Sequence, residues 1–279
     1  MDNDALRVLA DGKVFVDYGP VSMVIMARNP SSMMTELALE SFAVIHQGLE
    51  ELAVALPFLR RYPDQLDADA FSGLARRMIQ AVQAVEEPTL TPMATVAGAM
   101  SDLVADWLQA QGAPIVAVNN GGDIALRLAE EESIRMGILS DIRSTQMDEI
   151  AVIYGSDGIG GVCTSGLGGR SLTRGIASAV TVFSERCIQA DACATHIANC
   201  SYVESPRVKT VRAGELDPGS DIADLTVVTE VGVLTAEEIR QGLAGMQAEC
   251  IRQSKLGNLL RMAADIQGSK IHFSGNNIE

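Results

Sequence analysis

The chain is read as an α+β fold, a mixed or antiparallel sheet with flanking helices. Three observations predict it. Apolar residues at helical spacing cluster early and late, strand-like segments fill the middle, and no regular βαβ alternation joins them. The 279 residues suffice for a single domain spanning 1–279, with two intimate subdomains meeting near 86–92 as the variant of that reading.

In chain order, residues 13–28 (KVFVDYGPVSMVIMAR) read as two strands around the turn pair Gly19-Pro20. Ser31 or Ser32 is placed to cap a helix running to about Arg61, with Leu37, Phe42, Ile45, Leu49, Leu52 and Leu56 at helical spacing. Asp67–Ala84 reads as a second helix. The segment EEPTLTP at 86–92, with two prolines, marks the internal boundary. Met93–Gln111 reads as a helix stopped by Gly112, and Pro114–Val118 as a short buried strand. Strands are expected at 123–129, 133–139, 149–154, 161–165 and 177–183. Helices are expected over Ser184–Tyr202 and Thr235–Ala264.

Composition narrows the function. Thirty-six acids against 21 bases give a net charge of −15, and no basic run offsets it. Such a field repels nucleic acid and anionic lipid, so neither is an expected partner. A phosphate ligand would need backbone N–H groups, a divalent cation or a few local arginines. Thr35–Leu59 is the longest apolar stretch; Glu36, Glu40, His46, Glu50 and Glu51 interrupt it, which argues against a bilayer span. The opening residues lack a basic start followed by an apolar run. Five cysteines without a CxxC pair fit reduced thiols, and the expected location is cytoplasmic. Small-residue, apolar helices suggest a homodimer.

The densest signal lies between Gly155 and Gly175, where eight of 21 positions are glycine against an average usage of about 7%. Glycines let backbone N–H groups converge on an anion, and hydroxyls add uncharged donors. Thr164, Ser165, Gly166, Gly168, Gly169, Arg170 and Ser171 supply these groups; tight hairpin turns are the plainer reading of the same residues. Asn119, Asn120, Gly121, Gly122 and Asp123 follow a strand and offer either an ordinary turn or a strand end that a nucleotide approaches closely. Asp191 and Thr195 stand four residues apart, roughly 40° around a helix, so carboxylate and hydroxyl share a face. They suit Mg²⁺ completed by carbonyls, phosphate and water. Equally, they suit an acid near a helix start and a threonine bonded back to a carbonyl.

Cys193, His196 and Cys200 fall on the opposite face of that helix. Cys193 and Cys200 are about 10 Å apart along the axis, too far for one tetrahedral zinc, so buried core thiols are expected. Cys163 is the best-placed candidate nucleophile or sulfur carrier, with Cys193 second. His46 and His272 have no partner motif.

In these residues the chain resembles the ApbE-like superfamily, T-fold-related proteins that transfer FMN from FAD to a protein threonine using Mg²⁺. The resemblance covers roughly 91–200. It is carried in order by Ala97-Gly98-Ala99-Met100-Ser101-Asp102, by Val118–Ile124, by Thr164-Ser165-Gly166, and by Ala179-Val180-Thr181-Val182 followed by Ala190–Thr195. It implies FAD or FMN and Mg²⁺ as cofactors, with Asp191 and Thr195 as magnesium ligands and a protein acceptor as partner. Two features depart from the family pattern. The His-Ile-Ile-Asp-Pro segment that carries the implicated histidine is missing from Leu167–Ser178, where Arg170 is the nearest polar substitute. The family lysine is replaced by Ala97. The chain looks more like a compact side branch linked to sulfur-amino-acid metabolism. Three functions therefore stand: a divergent flavin or nucleotidyl transferase, a cysteine-based sulfur-relay protein with a sulfur-transfer partner, and a non-catalytic flavin-binding or scaffold protein.

Overall fold

The computed structural model of the chain describes residues 5–138, 149–169, 171–275 and 277–278. From the N-terminus come β1 (Leu6–Val8), β2 (Val14–Tyr18) and β3 (Val21–Arg28), then α1 (Thr35–Glu40), α2 (Phe42–Leu59), α3 (Gly73–Val85) and α4 (Val96–Ala110). The middle holds β4 (Ile115–Asn120), β5 (Asp123–Leu128), β6 (Ser133–Ile138), β7 (Glu149–Tyr154), β8 (Gly161–Ser165) and β9 (Ala179–Ser184). The last third contains α5 (Cys187–Asn199), β10 (Val208–Arg212), α6 (Ala213–Leu216), β11 (Thr226–Val231), α7 (Ala236–Lys255), β12 (Arg261–Ile266), β13 (Ser269–Ser274) and β14 (Asn277–Ile278).

Ten of these strands make one antiparallel sheet in the order β1-β2-β3-β4-β5-β8-β9-β12-β13-β14, so the expected α+β class with an antiparallel sheet is what the chain adopts. Its register follows from side-chain alternation. In β3, Val21, Met23, Ile25 and Ala27 are buried while the residues between them are only half-buried, the period-2 pattern of a strand with one core face. Each of the larger three contributes roughly 1.5–3 kcal/mol by leaving water. α4 and α5 lie on the centre of the sheet and on each other, α4 against β4 and β5 and α5 against β8 and β9. The hairpin β6–β7 covers the other face, where Leu126, Ile153, Ile159, Val162 and Phe183 form a second, smaller core.

Several helix limits differ from expectation. The helix expected to run from Ser31 to Arg61 turns at Ser41, and neither serine caps it: the backbone N–H groups of Ser31 and Ser32 donate to Asn29 Oδ1 at 2.9 and 2.8 Å. Asn29 satisfies those donors locally and delays the helix to Thr35. Residues Thr35–Leu59 have the length and mean hydropathy (1.3) of a membrane-crossing helix. Here they bury Ile45, Leu52 and Leu59 in the core. The second expected helix opens only at Gly73, after a short 3₁₀ turn at Ala68–Ala70.

The expected last helix, Thr235–Ala264, ends at Lys255, and Arg261–Ile266 is a strand instead. That strand pairs with β9 on one side and β13 on the other, so sheet pairing overrides its helical spacing. The strand expected over 133–139 runs to Ile138, and Leu139 lies outside the described residues.

Candidate functional site

Two cavities of about 440 and 460 Å³ meet above the carboxyl-bearing end of the sheet. Val96, Ala97, Asp123 and Ser171 line both, so together they form a continuous bipartite cleft. The first is floored by Asn119–Ile124 and by Thr164, Ser165 and Gly166. The second carries Asp191, Thr195, Asn199, Arg174, Glu87 and Asp221.

The sequence builds the first cavity through a two-residue hairpin. Gly121 and Gly122 take φ of 70° and 115°, the left-handed region that a turn matching strand twist requires. Asn119 Oδ1 accepts from the Gly122 N–H at 2.9 Å and closes the turn. Asn120 faces inward, accepting from the Ser22 N–H at 3.4 Å and donating to the Ala97 carbonyl at 3.5 Å. This ties the turn to β3 and α4. At the neighbouring strand end, the Thr164 and Thr181 hydroxyls are 2.8 Å apart, joining β8 to β9 beneath the cleft.

Asp123 opens β5 and reaches both cavities. Loss of water pushes its pKa up to about 6, although the nearby Cys163 thiol and Thr164 N–H pull the other way. Asp191, on α5, accepts from the Gly98 N–H at 2.9 Å. Burial first, and then the charges of Asp123 and Asp102, push it well above the ordinary carboxylate range. Two acids that each disfavour their charged form, facing one cavity with the Thr195 hydroxyl, make an all-oxygen set that a hard cation would relieve. The donor set fits Mg²⁺.

Gly98 permits this approach of α4 to α5. A Cβ there would come within 2.7 Å of the Cys187 carbonyl oxygen and 2.9 Å of the Asp191 Cβ. Below it, Asp102 caps α5: its carboxylate accepts from the Cys187 and Ile188 N–H groups at 3.3 and 3.0 Å. Arg127, almost wholly buried, donates to Asp102 at 2.6 Å and Asp106 at 2.8 Å, and Arg186 closes the network on Asp106 at 2.6 Å. This network sets the angle at which α5 presents Asp191 and Thr195.

Among the residues expected from sequence, Asn119, Asn120, Gly121, Gly122, Asp123, Thr164, Ser165, Gly166, Gly169 and Ser171 converge on the first cavity. Asp191 and Thr195 line the second. Gly168 lines neither, and Arg170 lies outside the described residues.

The candidate nucleophile Cys163 has a different setting from the one expected. It is wholly buried, 3.4 Å from the Cys187 sulfur, and burial pushes its thiol far above the ordinary value. Cys193 is likewise buried and pushed up to about 12, as expected of a core thiol. A nucleophile needs thiolate and access, and neither cysteine has them.

Glu87, Thr91 and Asp221, none of them a site residue expected from the sequence, close the second cavity; the Thr91 hydroxyl donates to Asp221. Glu87 and Thr91 sit in the proline-bearing 86–92 segment, whereas nothing local in the sequence marks Asp221. Arg174, like Arg170, stands out in the sequence as a cation beside the glycine-rich loop of an acidic chain. In the fold it donates to Thr89 at 2.8 Å and faces the same cavity.

The family model described as "AbpE bacteria" matches residues 6–269. A UPF0280 protein of Methanopyrus kandleri is 37% identical over 149 residues, which cover 52% of this chain and 58% of that protein. The chain thus spans less than two thirds of that relative. A UPF0280 protein of Methanococcoides burtonii is 34% identical over 174 residues, covering 60% of this chain and 69% of that protein. The flavin transferase ApbE from Vibrio cholerae superposes with a TM-score of 0.49 at 13% identity, covering 95% of this chain and 96% of that one. The ApbE protein from Thermotoga maritima gives 0.47 at 11%, covering 98% and 96%.

Proposed function

Since the chain belongs to the AbpE bacteria family, we propose that its bipartite cleft binds a flavin dinucleotide, or another nucleotide with a diphosphate, together with Mg²⁺. The observation that carries this is the convergence of Asp123, Asp191 and Thr195 on one cavity, with Asp123 shared by the next. The first cavity, with its apolar walls Val21, Met100 and Val162 and its Asn119–Asn120 edge, suits a planar ring bearing polar atoms. The second, with Arg174 opposite the carboxylates, suits the charged phosphates. The ion would neutralise diphosphate oxygens. Thr164 and Ser165 would donate to the ligand, and Gly98 would hold Asp191 in place.

The motif resemblance extends the reading to transfer of a flavin nucleotide onto a hydroxyl of a protein acceptor. In that reaction the acceptor oxygen forms a bond to the flavin-side phosphorus, and the bond to AMP breaks. No histidine lines either cavity among the described residues, so activation of the hydroxyl has no assigned residue.

Calorimetry of FAD with and without Mg²⁺ tests the binding claim. Mg²⁺-dependent affinity in the wild type, lost in Asp191→Ala, is expected; an unchanged affinity in the variant rejects the site. Release of AMP from FAD and Mg²⁺ then separates a transferase from a flavin-binding relative without turnover.

A further inference from the structure

On the far side of α5 from Asp191 and Thr195, three potential metal ligands from two helices point at one another. His196 and Cys200 stand one turn apart near the C-terminal end of α5, and Glu249 faces them from α7. His196 Nε2 is 2.9 Å from Glu249 Oε1 and 4.0 Å from Cys200 Sγ, and all three ligand atoms lie within 4.8 Å of one another. We propose that His196, Cys200 and Glu249 form a binding site for Zn²⁺ or a similar borderline divalent metal, tying α5 to α7; none of the three lines the nucleotide cleft, which Glu87 and Arg174 border.

The donor geometry is the first reason. Tetrahedral zinc, with bonds of about 2.0–2.3 Å to nitrogen, oxygen and sulfur, needs ligand atoms roughly 3.3–3.6 Å apart. The observed separations straddle that range, so small rotations of side chains would close the site without moving either helix. Cys193, seven residues before Cys200, is not needed. Its thiol faces Gln253 Oε1 and the Asn258 carbonyl instead.

The surroundings are the second. The other ring nitrogen of His196, Nδ1, lies 3.9 Å from the Glu87 carboxylate, beyond a direct hydrogen bond but close enough for that charge to favour the ring proton on Nδ1 and leave Nε2 to the metal. Glu249 is itself held by Arg252 Nε, 3.0 Å from each carboxylate oxygen, and by Gln253 at 2.7 Å. Arg252 is shared with Glu86 at 2.8 Å. Counting Glu86, Glu87 and Glu249 against Arg174 and Arg252 leaves one negative charge. The Cys200 thiolate adds a second, enough to balance a divalent ion. Cys200 and Glu249 are partly exposed, which gives the ion a route from solvent.

On binding, the Cys200 thiol proton leaves to solvent. The His196 proton resides on Nδ1 towards Glu87, and the metal replaces the N–H that now meets Glu249. With three protein ligands, a fourth position remains for water.

The full chain, stripped with a chelator and titrated with Co²⁺, tests this. One equivalent should produce a thiolate-to-cobalt charge-transfer absorption, displaced by Zn²⁺. Cys200→Ser should remove that absorption and weaken Zn²⁺ binding at least tenfold, and Glu87→Gln should weaken it by about tenfold. Asp191→Ala, altering the other site, should leave both unchanged. In the wild type, bound Zn²⁺ should also protect Cys200 from alkylation, which needs no variant. A wild type without stoichiometric thiolate absorption, or a charge-transfer band that survives Cys200→Ser or vanishes in Asp191→Ala, overturns the proposal.

Discussion

The backbone N–H of Gly98 donates to Asp191 Oδ2 across 2.9 Å, so the main chain of one helix holds the carboxylate carried by the next. The contact exists because the residue at 98 has no side chain: any Cβ would collide with the Cys187 carbonyl oxygen at 2.7 Å. Gly98→Ala should therefore push α4 from α5 and cost about 1–3 kcal/mol in urea unfolding, as overpacking does. It should also reduce Mg²⁺-dependent FAD affinity. Wild-type stability in the variant would show that the helices separate freely.

Asp191→Asn should raise stability in the absence of divalent ions, because it removes a carboxylate whose ionised form burial and Asp123 both oppose. The wild type should gain about 1.4 kcal/mol from Mg²⁺ at ten times its dissociation constant, and the variant nothing. Melting temperatures with and without Mg²⁺ check this. An equal Mg²⁺ response in both proteins would place the ion elsewhere.

Asp102→Ala should be among the costliest substitutions. It uncaps α5 and leaves the buried Arg127 with one carboxylate fewer. A loss of about 3 kcal/mol is expected, the low end for breaking a buried pair, since Arg127 keeps Asp106. Denaturant midpoints measure it, and a loss below about 1 kcal/mol would mean that the network does not orient α5.

Asp106 controls part of the acid limb of stability. Burial pushes its pKa up, but hydrogen bonds and charge from Arg186 and Arg127 outweigh that and hold it below 3.8. A depressed carboxylate stabilises the fold above its unfolded pKa, and that stability is lost as pH falls through the folded value. Asp106→Asn should flatten the decline in stability below about pH 4. Parallel profiles for variant and wild type would refute the assignment.

In the folded, metal-free protein, a maleimide should modify Cys200 first and leave Cys163, Cys187 and Cys193 untouched. Only Cys200 of these four is partly exposed. Peptide mass spectrometry reads the order. Modification of Cys163 as fast as Cys200 would revive it as a nucleophile.

Local chemistry made much of the site legible. Asn119-Asn120-Gly121-Gly122-Asp123 announces a hairpin because two consecutive glycines can take positive φ, and Asp191 and Thr195 share a helix face by spacing alone. The strands at 149–154 and 161–165 followed from short apolar runs between turns. The C-terminal segment did not. Arg261–Ile266 continues a helical pattern, and only its pairing between β9 and β13 makes it a strand. Such pairing joins distant parts of the chain, and no local window contains it.

The sequence by itself determined the family, the α+β class and the residue types available to hold a phosphate and a hard ion. The tertiary structure decided which of them meet. Asp123 and Asp191 become neighbours only because β5 and α5 pack against α4, whose Gly98 lets the helices close. The same packing buries Cys163 and Cys193 as inert thiols and turns His196 and Cys200 towards Glu249. Spacing along a helix sets which face a side chain takes, whereas burial, and with it charge state and reactivity, depends on what the rest of the chain lays against that face.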